Sequence, residues 1–477
     1  MSKTRLNADL VVIGAGSGGL SVASGAAQLG LNVVLFEKGE MGGDCLNTGC
    51  VPSKALLAAA KTAHTVRKAG KYGIVTQEPS VKWTAVKAHL QGVIDQIAPV
   101  DSQERFEGLG CTVIRELAQF NNKTTITSDS YEVKARRIVI ATGSHPLIPP
   151  IPGLEACPYI TNETIFDLPD LPSHLVILGG GPIGMEMAQA FKRLGSEVTV
   201  VEMGKALGVA DPAHAGEVVH HLREEGITVL EGHKATSVSA SSGEVLVTAE
   251  HEGAEINVKG SHLLVALGRA PALHGLNLEA GGVDFTPKGI TTKPNLRSVS
   301  NSRVWAVGDI AGRGQFTHLA GWHASIFVQA ALMKLPAKAV SEQIPAVTYT
   351  DPEIAQIGLS EQAARERDGD DLQVIEFPFE ENDRAIAERQ TAGSAKLFIG
   401  KGDKILGASI LGQGAGDILQ IVSLAMANKL KMRDLTKWIS PYPTRAEVVK
   451  RVASLYFQPK VFGAMARKIV SITQRIP

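Results

Sequence analysis

The chain has 477 residues, which at about 150 residues per domain predicts roughly three domains. Lys+Arg and Asp+Glu each total 48, so there is no basic surplus to follow nucleic acid. No apolar run reaches the ~18 residues that cross a bilayer, and the N-terminus runs straight into a glycine motif without a signal peptide, so a cytoplasmic protein in a reducing compartment is expected.

In chain order, a β-branched run at 8–13 leads into Gly14-Ala15-Gly16-Ser17-Gly18-Gly19, an alanine-rich helical stretch, and a second apolar run at 32–36 closed by Glu37. The same order returns further on. A run at 175–178 precedes Gly179-Gly180-Gly181-Pro182-Ile183-Gly184, a helix, a strand at 197–201, and Glu202. Each acid follows the last glycine of its motif by 18 residues. Each copy closes on a similar strand, 136–141 before Thr142-Gly143 and 263–267 before Gly268-Arg269. A lone glycine fingerprint is weak, but two with strand, helix and acid at equal spacing predict two dinucleotide-binding units. Prolines 146, 149, 150 and 152, then 169 and 172, punctuate the passage between them. A β-rich run at 304–307 ends in Gly308-Asp309. From about residue 345, strands at 346–350, 373–377, 395–399 and 405–411 alternate with helices and carry no nucleotide fingerprint, which predicts a separate α+β domain.

Each glycine turn brings backbone and a helix N-terminus to a pyrophosphate, and Glu37 and Glu202 are placed to accept hydrogen bonds from a ribose diol. A carboxylate there repels a 2′-phosphate, so Glu202 favours NADH over NADPH, although Lys205 is near in sequence. Cys111 and Cys157 read as small core residues. Cys45 and Cys50 stand in Gly42-Gly43-Asp44-Cys45-Leu46-Asn47-Thr48-Gly49-Cys50-Val51-Pro52-Ser53-Lys54. Five residues of regular helix rise ~7.5 Å, beyond the ~4.4–6.8 Å between the Cα atoms of a disulfide, so the backbone must break near Gly49 for this pair to bond. So short a ring adds little stability, which favours a redox couple; a metal pair is the competing reading, without a second Cys or His pair to complete it. A dithiol reacts by thiolate attack and a nicotinamide by hydride transfer, and a flavin joins the two. Two dinucleotide sites and a redox pair therefore imply FAD in one site and NAD(P)H in the other.

These motifs resemble the flavoprotein disulfide reductases, the pyridine nucleotide-disulfide oxidoreductase family that includes dihydrolipoamide dehydrogenase, glutathione reductase and mercuric reductase. The resemblance covers essentially the whole chain. It implies an α/β fold of two Rossmann-type dinucleotide-binding domains and a C-terminal α+β dimerisation domain. The expected boundaries are 1–150 with 270–342 for FAD, 151–269 for NAD(P), and 343–477 for the interface. Carried over residue by residue, FAD contacts fall on Gly14, Gly16, Gly19, Glu37, Gly43, Lys54, Ala118, Thr142, Gly143, Gly308, Asp309 and Thr317. Those of the nicotinamide dinucleotide fall on Gly179, Gly181, Gly184, Glu202 and Gly268. The resemblance also implies that Cys45 exchanges with substrate, that Cys50 faces the flavin as thiolate, and that Lys54 and Glu186 form an ion pair beside it. No metal is expected.

In dihydrolipoamide dehydrogenase and glutathione reductase a His-Pro-Thr…Glu signature closes the C-terminal domain, and the partner subunit donates the histidine as acid/base across a homodimer interface. Here the stretch is Ser440-Pro441-Tyr442-Pro443-Thr444-Arg445-Ala446-Glu447. Tyrosine, with an ordinary pKa of ~10, is a poor proton acceptor at neutral pH. Tyr442 is similar to mercuric reductase, but the sequence ends Gln474-Arg475-Ile476-Pro477 without that enzyme's vicinal cysteines. The expected function is transfer from NAD(P)H through FAD and Cys45–Cys50 to a small disulfide or thiol-reactive acceptor. Dihydrolipoamide oxidation and slow redox sensing are the alternatives. Phe462, Met465, Ile469 and Ile472 recur at helical spacing, with Arg467, Lys468 and Arg475 elsewhere around the turn. That pattern predicts a helix docked on its own domain in preference to a membrane surface.

Overall fold

The structure is a computed structural model and describes residues 3–241, 243–339 and 342–474. It forms two compact units. One comprises Met1–Gly179, Met187–Met203 and His233–Val340, the other Gly180–Glu186, Gly204–Gly232 and Ser341–Pro477.

In the first unit, strand Thr4–Ile13 lies between parallel neighbours Val33–Phe36 and Tyr131–Ile140, with Cys111–Ile114 beyond the former. Leu10, Val11 and Val12 are fully buried, because a strand covered on both faces of its sheet accepts only an unbroken apolar run. Strand Val304–Ala306 pairs beside the C-terminal half of Tyr131–Ile140. The register sets Phe36, Ile13, Ile140 and Ala306 level with one another. The segments that follow these four residues therefore emerge along one sheet edge. They hold Glu37, the first glycine motif, Thr142-Gly143 and Gly308-Asp309.

The duplication read from the sequence is present in three dimensions. Strand His174–Leu178 pairs in parallel with Glu197–Glu202 and His262–Val265. Gly14 takes a left-handed φ of 103° and a β-carbon on it would stand 2.5 Å from Ala141 O; for Gly179 the values are 106° and 2.4 Å from Ala266 O. Gly14 N–H donates to Phe36 O as Gly179 N–H donates to Val201 O. This is the Rossmann turn, built twice. An antiparallel meander, Lys234–Ser241, Glu244–His251 and Ala254–Gly260, was not expected; alternation of buried Val245, Val247 and Ala249 is the signal it leaves in the sequence. Cys111 and Cys157 are buried, as small core residues should be.

The second unit carries an antiparallel sheet in the order Ala346–Thr348, Glu353–Gly358, Lys404–Gly412, Ser394–Gly400, Gln373–Pro378. Leu397 and Ile399 join a core with Ile418, Leu419 and Val422 of helix Ala415–Ala427 and with Val449 and Val452 of helix Glu447–Val461. Phe398 packs on the opposite face with Leu406 and Leu372. His214 bridges Ser394 and Ser409 at 2.8 Å each, and Asp211 meets Lys396 at 3.0 Å, pinning helix Pro212–Glu224 to this sheet.

Helix Ala464–Thr473 corrects the expectation of a docked tail. It has no buried residue, and Phe462 and Met465 are 65% and 76% exposed. One face of the sheet is already covered by helices Ala415–Ala427 and Glu447–Val461. Arg475 lies outside the described residues. Among the described residues no helix is long and apolar enough to cross a membrane. Leu419→Ala should cost about 2–5 kcal/mol in denaturant unfolding, whereas deleting 464–474 should change stability by less than about 0.5 kcal/mol at equal protein concentration.

Candidate active site

The first glycine loop is shaped by what has no room. A β-carbon on Gly19 would stand 1.8 Å from Gly14 O, so this glycine permits helix Ser17–Gln28 to pack against the strand. Gly16 has only Gly43 Cα near its missing side chain, at 3.9 Å. The helix has neither a side-chain cap nor an acid in its first turn, which leaves its N-terminal N–H groups for an anion. Glu37 accepts from Ala15 N–H at 2.6 Å on Oε2 and from Gly39 N–H at 2.7 Å on Oε1. A carboxylate has about four acceptor sites, so capacity remains for a diol.

The cysteine segment is laid directly on this loop. Gly42 N–H donates to Ala15 O at 2.9 Å, and a β-carbon on Gly43 would fall 2.8 Å from Gly16 Cα. Gly42 and Gly43 hold left-handed φ of 87° and 62°. Cys45 stands in the short helix Gly43–Asn47 and Cys50 opens helix Cys50–Lys68, with the break at Thr48 and Gly49 that the spacing argument required. A β-carbon on Gly49 would meet Asp44 O at 2.8 Å. Both thiols are free in this structure.

The two thiols are driven apart in acidity. Cys50 is lowered to about 6, chiefly by the hydrogen bond it receives from Cys45, then by Thr317, whose Oγ1 lies 3.5 Å away, and by the charge of Lys54 one helical turn on. Cys45 is pushed up because its proton is shared with Cys50 and because it is partly buried. A single proton held between two sulfurs accounts for both directions.

Arg269 ties the motifs together. Its Nη2 meets Asp44 Oδ2 at 3.0 Å and Ser144 O at 2.9 Å, its Nε donates to Ser144 Oγ at 2.8 Å, and Nη1 donates to Asn162 Oδ1 at 3.2 Å. Ser144 Oγ donates in turn to Asp309 Oδ2 at 2.6 Å. Asn162 Nδ2 and Thr48 Oγ1 both donate to Asp44 Oδ1, at 3.0 and 2.7 Å. Burial raises Asp309 above the ordinary carboxylate range, opposed by Ser144 and Arg269. Sequence reasoning reached Cys45, Gly143, Gly268 and Asp309 but missed Arg269, Ser144, Asp44 and Asn162. Three of these adjoin a predicted site residue, so adjacency was their only signal.

The remaining predicted residues are placed as follows. Ala118 is buried just before strand Gln119–Asn122, and Thr142 Oγ1 donates to Ala272 O. Gly308 N–H donates to Nδ1 of fully buried His323, whose pKa burial pushes to about 4, so this imidazole is a neutral positioning group. Thr317 begins a helix without a side-chain cap. Gly181 has nothing within 4 Å of its missing side chain, and Gly268 takes a φ of 111°. Gly184 lies on helix Pro182–Leu194, and Glu202 ends its strand. In the second unit Lys205 pairs with Glu231 at 3.8 Å, and Glu186 accepts from Tyr349 N–H at 2.9 Å. Tyr442 is 69% exposed and donates to Asp383 Oδ2 at 3.0 Å, which with the charge of Asp383 raises its pKa. Glu447 pairs with Arg451 at 3.0 Å.

Residues 8–324 match the pyridine nucleotide-disulphide oxidoreductase family, and residues 344–453 match the dimerisation domain of the same family. The chain belongs to that family. It is 34% identical over 455 residues to mercuric reductase of Streptomyces lividans, covering 94% of this chain and 96% of the relative. It is 32% identical over 457 residues to dihydrolipoyl dehydrogenase of Staphylococcus aureus, again covering 94% and 96%. Among solved structures it is similar to the HOCl-induced flavoprotein disulfide reductase RclA from Escherichia coli, with a TM-score of 0.84 and 27% identity over 94% of this chain and 99% of that one. Membership makes this protein an FAD- and NAD(P)H-dependent oxidoreductase.

For this oxidoreductase, ultraviolet titration of the reduced form should show one thiolate appearing with a midpoint near pH 6, protonated below and ionised above, while the second sulfur stays protonated. Thr317→Val removes a lowering hydrogen bond and should move that midpoint upward.

Proposed function

We propose that the protein is a homodimeric NADH-dependent reductase of small disulfides or thiol-reactive acceptors, working through Cys45 and Cys50. The observation that carries this reading is the pair of thiols with opposed acidities, clamped by Gly43 and Arg269 against an uncapped dinucleotide loop.

The residues present fit FAD. Open Gly16 and the bare helix N-terminus suit a pyrophosphate, Glu37 a ribose diol, and Asp309 with Gly43, Thr142 and Gly143 the remainder of the chain along the sheet edge. When bound, the flavin relays electron pairs between a nicotinamide and the dithiol. Residues 151–269 would hold the nicotinamide dinucleotide, with Gly179, Gly181 and Gly184 at its phosphates and Gly268 beside it. Glu202 supports NADH, and Lys205 is engaged by Glu231. Lys54 and Glu186 would act as the ion pair beside the flavin.

The dithiol supplies its own first base. Cys50 thiolate takes the Cys45 proton along their hydrogen bond, and Cys45 sulfur attacks the acceptor disulfide to give a mixed disulfide and one thiolate. Cys50, after losing that proton to solvent, attacks Cys45 sulfur, releases the second thiol and closes Cys45–Cys50. Two electrons pass to the acceptor and two sulfurs are oxidised. Exposed Tyr442 and neighbouring Glu447 would reach the partner subunit's site, and the family dimerisation domain over 344–453 supports such an interface. Because Asp383 makes Tyr442 a still weaker proton acceptor, an acceptor that needs no protein base is favoured over dihydrolipoamide.

Steady-state NADH oxidation tests the reading. Cys45→Ser should lower acceptor reduction at least about 100-fold while NADH still reduces the bound cofactor; unchanged acceptor reduction would exclude the dithiol route. With oxidised lipoamide the native protein should be slow, and Tyr442→His should raise the rate about tenfold or more. A fast native rate would favour the lipoamide dehydrogenase reading.

A further inference from the structure

The sheet that presents the glycine loops at one edge carries a concentration of positive charge toward the other. Arg303 immediately precedes strand Val304–Ala306, whereas Gly308-Asp309 follow it. On the paired strand, Arg136 and Arg137 come before Ile138, the partner of Val304. These three arginines, with Arg297 and Lys334, line a cavity of about 330 Å³, and no Asp or Glu is among its lining residues. Asp9 is a carboxylate acting on Arg137. The cations are partly oriented: Arg297 Nε donates to Ser302 O at 2.8 Å and Arg303 Nη1 to Arg136 O at 3.3 Å. A guanidinium has five N–H donors, so most of the donor capacity of these arginines is left over.

Trp305 lines the same cavity and adds an independent observation. It is 6% exposed, and its indole N–H is buried without a hydrogen-bond partner among the described residues. A buried orphan donor is costly, and an acceptor entering the cavity would relieve it. The indole ring itself is engaged, by the Arg297 guanidinium 5.7 Å from its centre and by Phe327 edge-on at 5.5 Å. A ligand is therefore read through its oxygens and not by stacking a base.

We propose that this cavity binds a compact polyphosphate, several linked phosphate groups presenting many charged oxygens in a small volume. Five cations around one cavity repel one another, and such an anion turns that repulsion into charge-assisted hydrogen bonds. A single phosphate or sulfate spans too few of the five.

Inorganic tripolyphosphate, titrated calorimetrically into the FAD-loaded full-length protein, tests the site, with sulfate at matched ionic strength as the control. Saturable binding of one tripolyphosphate per chain is expected, weakening as salt rises and at least about tenfold weaker in Arg136→Ala/Arg303→Ala. Both of these positions are exposed, so the variant should fold, as circular dichroism would verify. Trp305→Phe, which deletes only the N–H donor and one ring, should also weaken binding. ATP should bind no tighter than tripolyphosphate. Absence of saturable heat, equal binding by the double variant, equal binding of sulfate, or binding of ATP without tripolyphosphate would each overturn the proposal.

Discussion

Gly43 crosses Gly16 so closely that a β-carbon on it would stand 2.8 Å from Gly16 Cα, and this contact fixes how near a dithiol can be brought to the dinucleotide loop. Two backbones without side chains are needed for that approach, and both are held in place from outside. Gly14 is fixed by the register of three parallel strands, and Gly42-Gly43 by hydrogen bonding to Ala15. Arg269 then prevents the cysteine segment from pivoting about the contact. It reaches Asp44, next to Cys45, and through Ser144 the carboxylate of Asp309 on the neighbouring strand end.

The acidity of the pair follows from this clamping. Cys50 is at a helix N-terminus, with Thr317 across from it and Lys54 one turn along, all of which favour its thiolate. Cys45 belongs to a separate short helix and is left with the shared proton. A regular helix through both positions would have separated the sulfurs and given them one common environment. The backbone break at Thr48 and Gly49 therefore creates both the proximity and the difference in acidity.

The parallel sheet gives the same strands two chemically different ends. At the C-terminal edge, an uncapped helix N-terminus and glycine turns offer neutral backbone donors. Toward the N-terminal edge, donors come from charged side chains, which hold less geometry but more charge. The zero net charge of the chain conceals this separation, because a sum over 477 residues has no spatial content.

Much of the site was legible in the sequence because its chemistry depends on local backbone form. The duplicated glycine turns, the acids 18 residues beyond them and the break between Cys45 and Cys50 are statements about neighbouring residues; the Cβ clearances at Gly14, Gly19 and Gly179 bear out the turns, and the separate helices Gly43–Asn47 and Cys50–Lys68 the break. Arg269, Asn162 and Ser144 could not be found this way, since an arginine 224 residues from Cys45 gains its role only when strand pairing carries it there. The meander at 234–260 was passed over because its half-exposed alternation is weak in any one strand and becomes a sheet only through antiparallel pairing. Helix 464–473 shows the opposite error: helical periodicity predicts an apolar face, but whether that face is covered depends on surface already occupied by helices Ala415–Ala427 and Glu447–Val461. Sequence by itself determined the local turns and the family of the chain, because φ, residue size and spacing suffice for them. Tertiary structure alone decided which distant charges meet, since that is set by register and by competition for buried surface.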